Sequence, residues 1–128
     1  MIENKIENNY CSFELKDEIL VCRFKKGIIL DIAATLEVIE LRTQITEGKS
    51  YPVLIMDEGI GSVTKESRDY FASEKGTQGI TAAAMVYSNP FNRMVARFFL
   101  LVSVNKLFFQ VDIFSNESKA LNWLSQFI

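Results

Sequence analysis

The 128 residues carry 14 Lys and Arg against 16 Asp and Glu, for a formal net charge of −2, and no histidine. A balance this close to neutral argues against nucleic acid as a main partner, because phosphate binding needs a basic field. The missing histidine removes the usual general base, the commonest metal ligand and the physiological pH switch together. The length suits a single domain over residues 1–128 with a core large enough to need no staples.

Residues 1–9 are polar and read as a loose lead-in without the apolar segment of a signal peptide. Cys11, Phe13 and Leu15 then alternate with Ser12, Glu14 and Lys16, the period of a half-buried strand. Lys16-Asp17 is expected to turn the chain into a second strand over 19–25. That register sets Phe13 against Leu20 and Cys11 against Cys22, and gathers Phe13, Leu15, Leu20, Cys22 and Phe24 on one face. Both cysteines are expected as free thiols.

Asp31 is the expected N-cap of a helix running to about Glu47, with Gly48 as its stop. Ala34, Val38, Leu41 and Ile45 form one apolar stripe. Ile32, Leu36 and Ile39 form a second on roughly the opposite face. Thr35, Arg42 and Thr46 lie on a flank between them. The second stripe needs cover from a neighbouring helix or from a second copy of the chain, so a homodimer contact is one expectation.

Tyr51 to Asp57 is the expected central strand, with Val53 to Met56 buried on both faces. Asp57 and Glu58 fall at its carboxyl end, where open α/β folds place their working surface. Neighbouring carboxylates on a strand point to opposite sides and make a poor acid–base pair. Asp57 reads more simply as a strand-ending group that accepts bonds from loop amides. Ser62 or Thr64 caps a helix reaching Lys75, ended by Gly76, with Tyr70 and Phe71 buried. Ser62, Thr64 and Ser67 are also candidates for phosphorylation, since a phosphate gains from a helix N-terminus.

Residues 79–87 give the next strand. Asn89 and Pro90 start a third helix, whose polar side carries Arg93 and Arg97 as candidates for an anionic head group or a partner carboxylate. Residues 109–114 form a last strand, and a final helix places Ala120, Leu124 and Phe127 on one face. Phe98 to Val104, the most apolar run, is far short of the ~20 residues of a membrane span, so no membrane insertion and a cytoplasmic location are expected. No metal cluster, phosphate loop or dinucleotide fingerprint is present, so no catalytic residue, metal or cofactor is assigned and the protein is expected not to be an enzyme. The fold expected is α/β: a mixed five-stranded sheet with an N-terminal antiparallel hairpin, parallel crossovers and four helices.

Three stretches in order resemble the STAS family, in its SpoIIAA-like branch, over almost the whole chain. They are Val53 to Asp57 followed by Ser62 to Phe71; Ser88 to Leu100; and Val111 to Leu124. The resemblance implies the anti-sigma factor antagonist fold and a regulatory module that docks a protein partner near Asp57 to Ser67. In that family a serine at the start of the helix after the central strand is phosphorylated. Here the corresponding segment is Thr64-Lys65-Glu66-Ser67, with Lys65 and Glu66 at the serine positions, so the usual phosphoswitch is not expected. Resemblance to the related CRAL-TRIO lipid-binding domains implies an alternative: a carrier of a lipid or small apolar ligand, with a pocket lined from Phe91, Val95, Phe98 and Phe99.

Overall fold

A computed structural model describes residues 4–87 and 109–128. Six strands form one sheet in the order β1-β2-β3-β5-β7-β8. They are β1 (Lys5–Glu7), β2 (Cys11–Lys16), β3 (Ile19–Phe24), β5 (Tyr51–Asp57), β7 (Ile80–Tyr87) and β8 (Gln110–Phe114). β1, β2 and β3 pair antiparallel; β3, β5, β7 and β8 are parallel. Two short strands, β4 (Ile29–Leu30) and β6 (Ser62–Val63), pair separately in parallel. The mixed α/β fold with its antiparallel hairpin and parallel remainder is as expected. The sheet has six strands rather than five because residues 5–7, read as lead-in, add an edge strand to β2.

The hairpin turns at Asp17 and Glu18, not at Lys16-Asp17. Both residues have positive φ, 52° and 65°, the two-residue hairpin geometry whose twist matches its strands. Leu15 therefore faces Leu20, Phe13 faces Cys22 and Cys11 faces Phe24. The partner of every residue moves by two, which preserves the faces, since side chains alternate with period two. The cysteines do not face each other, and both are buried free thiols.

Each face of the sheet has its own core. Helix α1 (Ile32–Thr46) packs Ala34, Val38, Leu41 and Ile45 against Phe13, Cys22, Phe24 and Val53. Asp31 caps it, accepting from the Ala34 N–H at 2.9 Å, and Glu47 ends it in the left-handed conformation at φ 52°. On the other face, helix α4 (Glu117–Leu124) sets Ala120 and Leu124 against Val21, Leu54, Ala82 and Ala84. Trp123 sits between Phe114 and Phe127 there, tilted to both, with ring centroids 5.6 and 4.9 Å away. Alternation in β5 thus sends Val53 to one core and Leu54 to the other.

The helix expected from 64 to 75 is two. α2 (Lys65–Phe71) is capped by Thr64, and α3 (Glu74–Thr77) by Ser73, whose hydroxyl accepts from the Gly76 N–H. Gly76 lies inside α3 and does not end a helix. Tyr70 and Phe71 are half-buried; the buried residues of this segment are Ser67, Ala72, Gly76 and Thr77. Along the second stripe of α1, Leu36 is 46% exposed and Ile32 and Ile39 are half-buried. The expected third helix, with Arg93 and Arg97, lies outside the described residues.

Candidate functional site

The carboxyl end of β5 is held by its own side chain. Asp57 Oδ1 accepts from the N–H groups of Gly59 and Ile60, both at 2.8 Å. The loop is then pinned to the segment before β4: Gly27 N donates to the Gly59 carbonyl at 2.7 Å, and Gly61 N donates to the Ile28 carbonyl at 2.9 Å. A methyl group at Gly61 would press on the Gly27 and Ile28 carbonyls at 3.0 Å, so this approach needs a glycine.

The three hydroxyls proposed around this helix start part company. Ser62 is exposed in β6. Thr64 is exposed, and its oxygen takes the Ser67 N–H at 3.1 Å as an N-cap. Ser67 is fully buried, and its hydroxyl pairs with that of Thr35 on α1. Thr35 donates its own proton to the Asp31 carbonyl at 2.8 Å, so Ser67 is the donor to Thr35. This short chain of bonds locks α2 to α1. Replacing Thr35 strands the Ser67 hydroxyl in a dry site, and replacing Ser67 leaves the Thr35 oxygen without its donor and a small gap behind. Ser67→Ala and Thr35→Val are each expected to cost about 1–3 kcal/mol, and the double variant clearly less than their sum. Urea unfolding of all four proteins checks this; additive losses would mean the two hydroxyls do not depend on each other.

Between the sheet and α1 and α2 lies a cavity of about 430 Å³. Its floor is Phe13, Cys22, Phe24, Val53, Ile55, Ala83, Met85 and Val111, one face of five neighbouring strands. Val38 of α1 and Phe71 of α2 wall it, with Phe71 edge-on to Phe24 at 6.5 Å between centroids. The charged groups on its lining are Asp57, Arg68 and Arg42. Arg68 donates through Nη1 to the Val63 carbonyl at 2.9 Å. Arg42 is only 8% exposed. Its Nη2 reaches the Gln78 carbonyl at 3.4 Å, and burial lowers its pKa, with the nearby Cys22 opposing. Burial pushes the Cys22 thiol well up, helped by Cys11 and opposed by Arg42, so it stays protonated.

Arg42 was missed because it stood on a flank with Thr35 and Thr46. All three are buried. Their spacing, i, i+7 and i+11, repeats that of Ala34, Leu41 and Ile45 one residue along, and that repeat is the signal that could have found them. Among the described residues no group of three His, Cys, Asp or Glu could hold a metal ion. No helix among them is long and apolar enough to cross a membrane.

Residues 13–128 match a family described as a domain of unknown function, DUF7793. The chain belongs to that family. This DUF7793 protein is similar in structure to an uncharacterized protein of the DUF3478 family with a SpoIIAA-like fold from Shewanella loihica PV-4. The TM-score is 0.63 at 12% identity, covering 93% of this chain and 98% of that one. At such an identity the likeness shows the fold, which is SpoIIAA-like, as the resemblance implied. No curated protein matches the DUF7793 chain.

Proposed function

We infer that this protein is a non-catalytic carrier or sensor of a small apolar ligand, held in the cavity between the sheet and α1. The observation that supports it is the cavity itself. Its volume of about 430 Å³ falls in the range of small-molecule sites, and its wall is mostly apolar with a few charged groups at defined places. A domain of this size normally closes its core to near-crystalline density. Here an apolar pocket open to the surface stands beside the central strand, and a bound ligand would take its wall out of water.

The rival reading, a docking module at Asp57 to Ser67, draws mainly on the fold, and a fold by itself does not give function. Of its residues, Ser67 is buried and Asp57 is engaged with loop amides, which leaves Ser62 and Thr64 open to a partner.

Native mass spectrometry of protein purified from its own host tests the carrier reading, with an adduct of one small apolar molecule per chain as the expected result. Ala83→Phe places a ring on the cavity floor and is expected to remove the adduct with the fold intact by circular dichroism. An adduct that survives Ala83→Phe, or no adduct and no binding of an added apolar probe, would refute the carrier.

A further inference from the structure

We propose that Arg42 anchors the head of the cavity's ligand, and that the ligand is an apolar chain ending in a carboxylate. The proposal rests on the carrier reading of the same cavity and adds the class of ligand.

Among the described residues Arg42 is a charge without a counter-charge. Arg42 is more than nine-tenths buried. The ion pairs among the described residues are Arg23 with Glu117, Lys25 with Glu7 and Lys65 with Asp69; none includes Arg42. Its hydrogen bond to the Gln78 carbonyl is long, at 3.4 Å, and uses one of five N–H groups. Its close neighbour on the sheet is the Cys22 thiol, which is neutral. Asp57 also lines the cavity, two residues beyond Ile55, the β5 partner of Cys22, roughly 7 Å along the strand; it makes no ion pair with Arg42, and its Oδ1 takes the amides of its own loop. A buried guanidinium left this way is expensive, and proteins keep one where something pairs with it.

The cavity supplies the place for that partner. Cys22, Arg42 and Thr77 all line it. The Thr77 hydroxyl donates back to the Ser73 carbonyl at 2.8 Å and so offers no proton to a ligand. The other cation on the lining, Arg68, donates to the Val63 carbonyl and is only half-buried, so unlike Arg42 its charge can be offset by solvent. One planar cation with a free fork suits one carboxylate, which it can hold through two parallel bonds. A phosphate dianion would need further donors that this end of the cavity does not offer. The rest of the ligand lies on Val53, Ile55, Ala83 and Met85, so it is a hydrocarbon.

Decanoate and decanol distinguish the parts of this idea, since they share a chain and differ in the head. The wild-type protein is expected to bind decanoate at least about tenfold more tightly than decanol, by titration calorimetry at neutral pH. Arg42→Met keeps length and apolar bulk while removing the charge. It is expected to erase the preference for decanoate, to leave decanol binding within about twofold, and to hold or raise the melting temperature, since an unpaired buried charge is gone. Equal binding of acid and alcohol by the wild type would overturn the role of Arg42 and leave the carrier standing. Loss of both ligands and of stability in Arg42→Met would make Arg42 a structural residue and overturn the proposal. Tighter binding of decyl phosphate than of decanoate would overturn the choice of carboxylate. If the wild type binds neither chain, the carrier reading falls, and the proposal with it.

Discussion

Leu54→Ala is expected to cost about 3 kcal/mol, and Ile55→Ala less than half as much, although the two residues are neighbours on the central strand. Leu54 is 0% exposed and sits in the core beneath α4, among Val21, Ala84, Ala120 and Leu124. Those neighbours are small or already locked by the sheet, so the space left by the truncation cannot close. A Leu→Ala cost grows with the void that remains. Ile55 points the other way and already borders the cavity of about 430 Å³. Its side chain has fewer atoms to lose contact with, and its removal enlarges a space that exists in any case. Urea midpoints of the two variants, with unchanged slopes, give the comparison directly. Equal losses would mean that the Ile55 face is packed as densely as the Leu54 face, which would undercut the cavity and the carrier reading built on it.

Gly76→Ala is expected to cost roughly 3 kcal/mol or more, an unusual loss for the addition of one methyl group. A Cβ at this position would come within 2.7 Å of the Phe71 Cα and carbonyl oxygen, and closer still to the Tyr70 carbonyl oxygen. These are backbone atoms of α2 and cannot rotate aside. To make room, α3 would have to move off the end of α2. Gly76 and Thr77 also line the cavity, so ligand binding should weaken together with stability. Gly48→Ala is the control. Gly48 has φ +79° and nothing within 4 Å of the added carbon, so its variant should cost only about 1 kcal/mol, from backbone conformation alone. A Gly76 variant no worse than the Gly48 variant would show that α2 and α3 separate easily.

Much of the fold was legible because it follows from local rules. The caps at Asp31 and Thr64, the latter one of two residues the sequence offered, are oxygens placed three residues before an open N–H. The two cores follow from alternation: Val53 and Leu54 diverge because neighbours on a strand must. The hairpin faces survived a misplaced turn for the same reason. The edge strand at 5–7 was not legible, because a short polar segment becomes a strand only when a neighbour offers its unpaired backbone. The break between α2 and α3 was hidden because its cause, the approach of Gly76 to the end of α2, depends on where two helices meet.

The candidate site divides in the same way. The sequence by itself determined the central strand, the amide-holding role open to Asp57 and a helix cap at Ser62 or Thr64, of which the structure selects Thr64, since each involves residues within a few positions of one another. Tertiary structure alone decided that Ser67 is buried against Thr35, that one face of five strands lines a cavity, and that Arg42 stands in its wall. A helix flank bearing two threonines and an arginine has the composition of a solvated surface. Whether it meets water depends on what packs over it, and that is settled by elements more than 30 residues away, where α2 meets α1 through Ser67 and the Gln78 carbonyl meets Arg42.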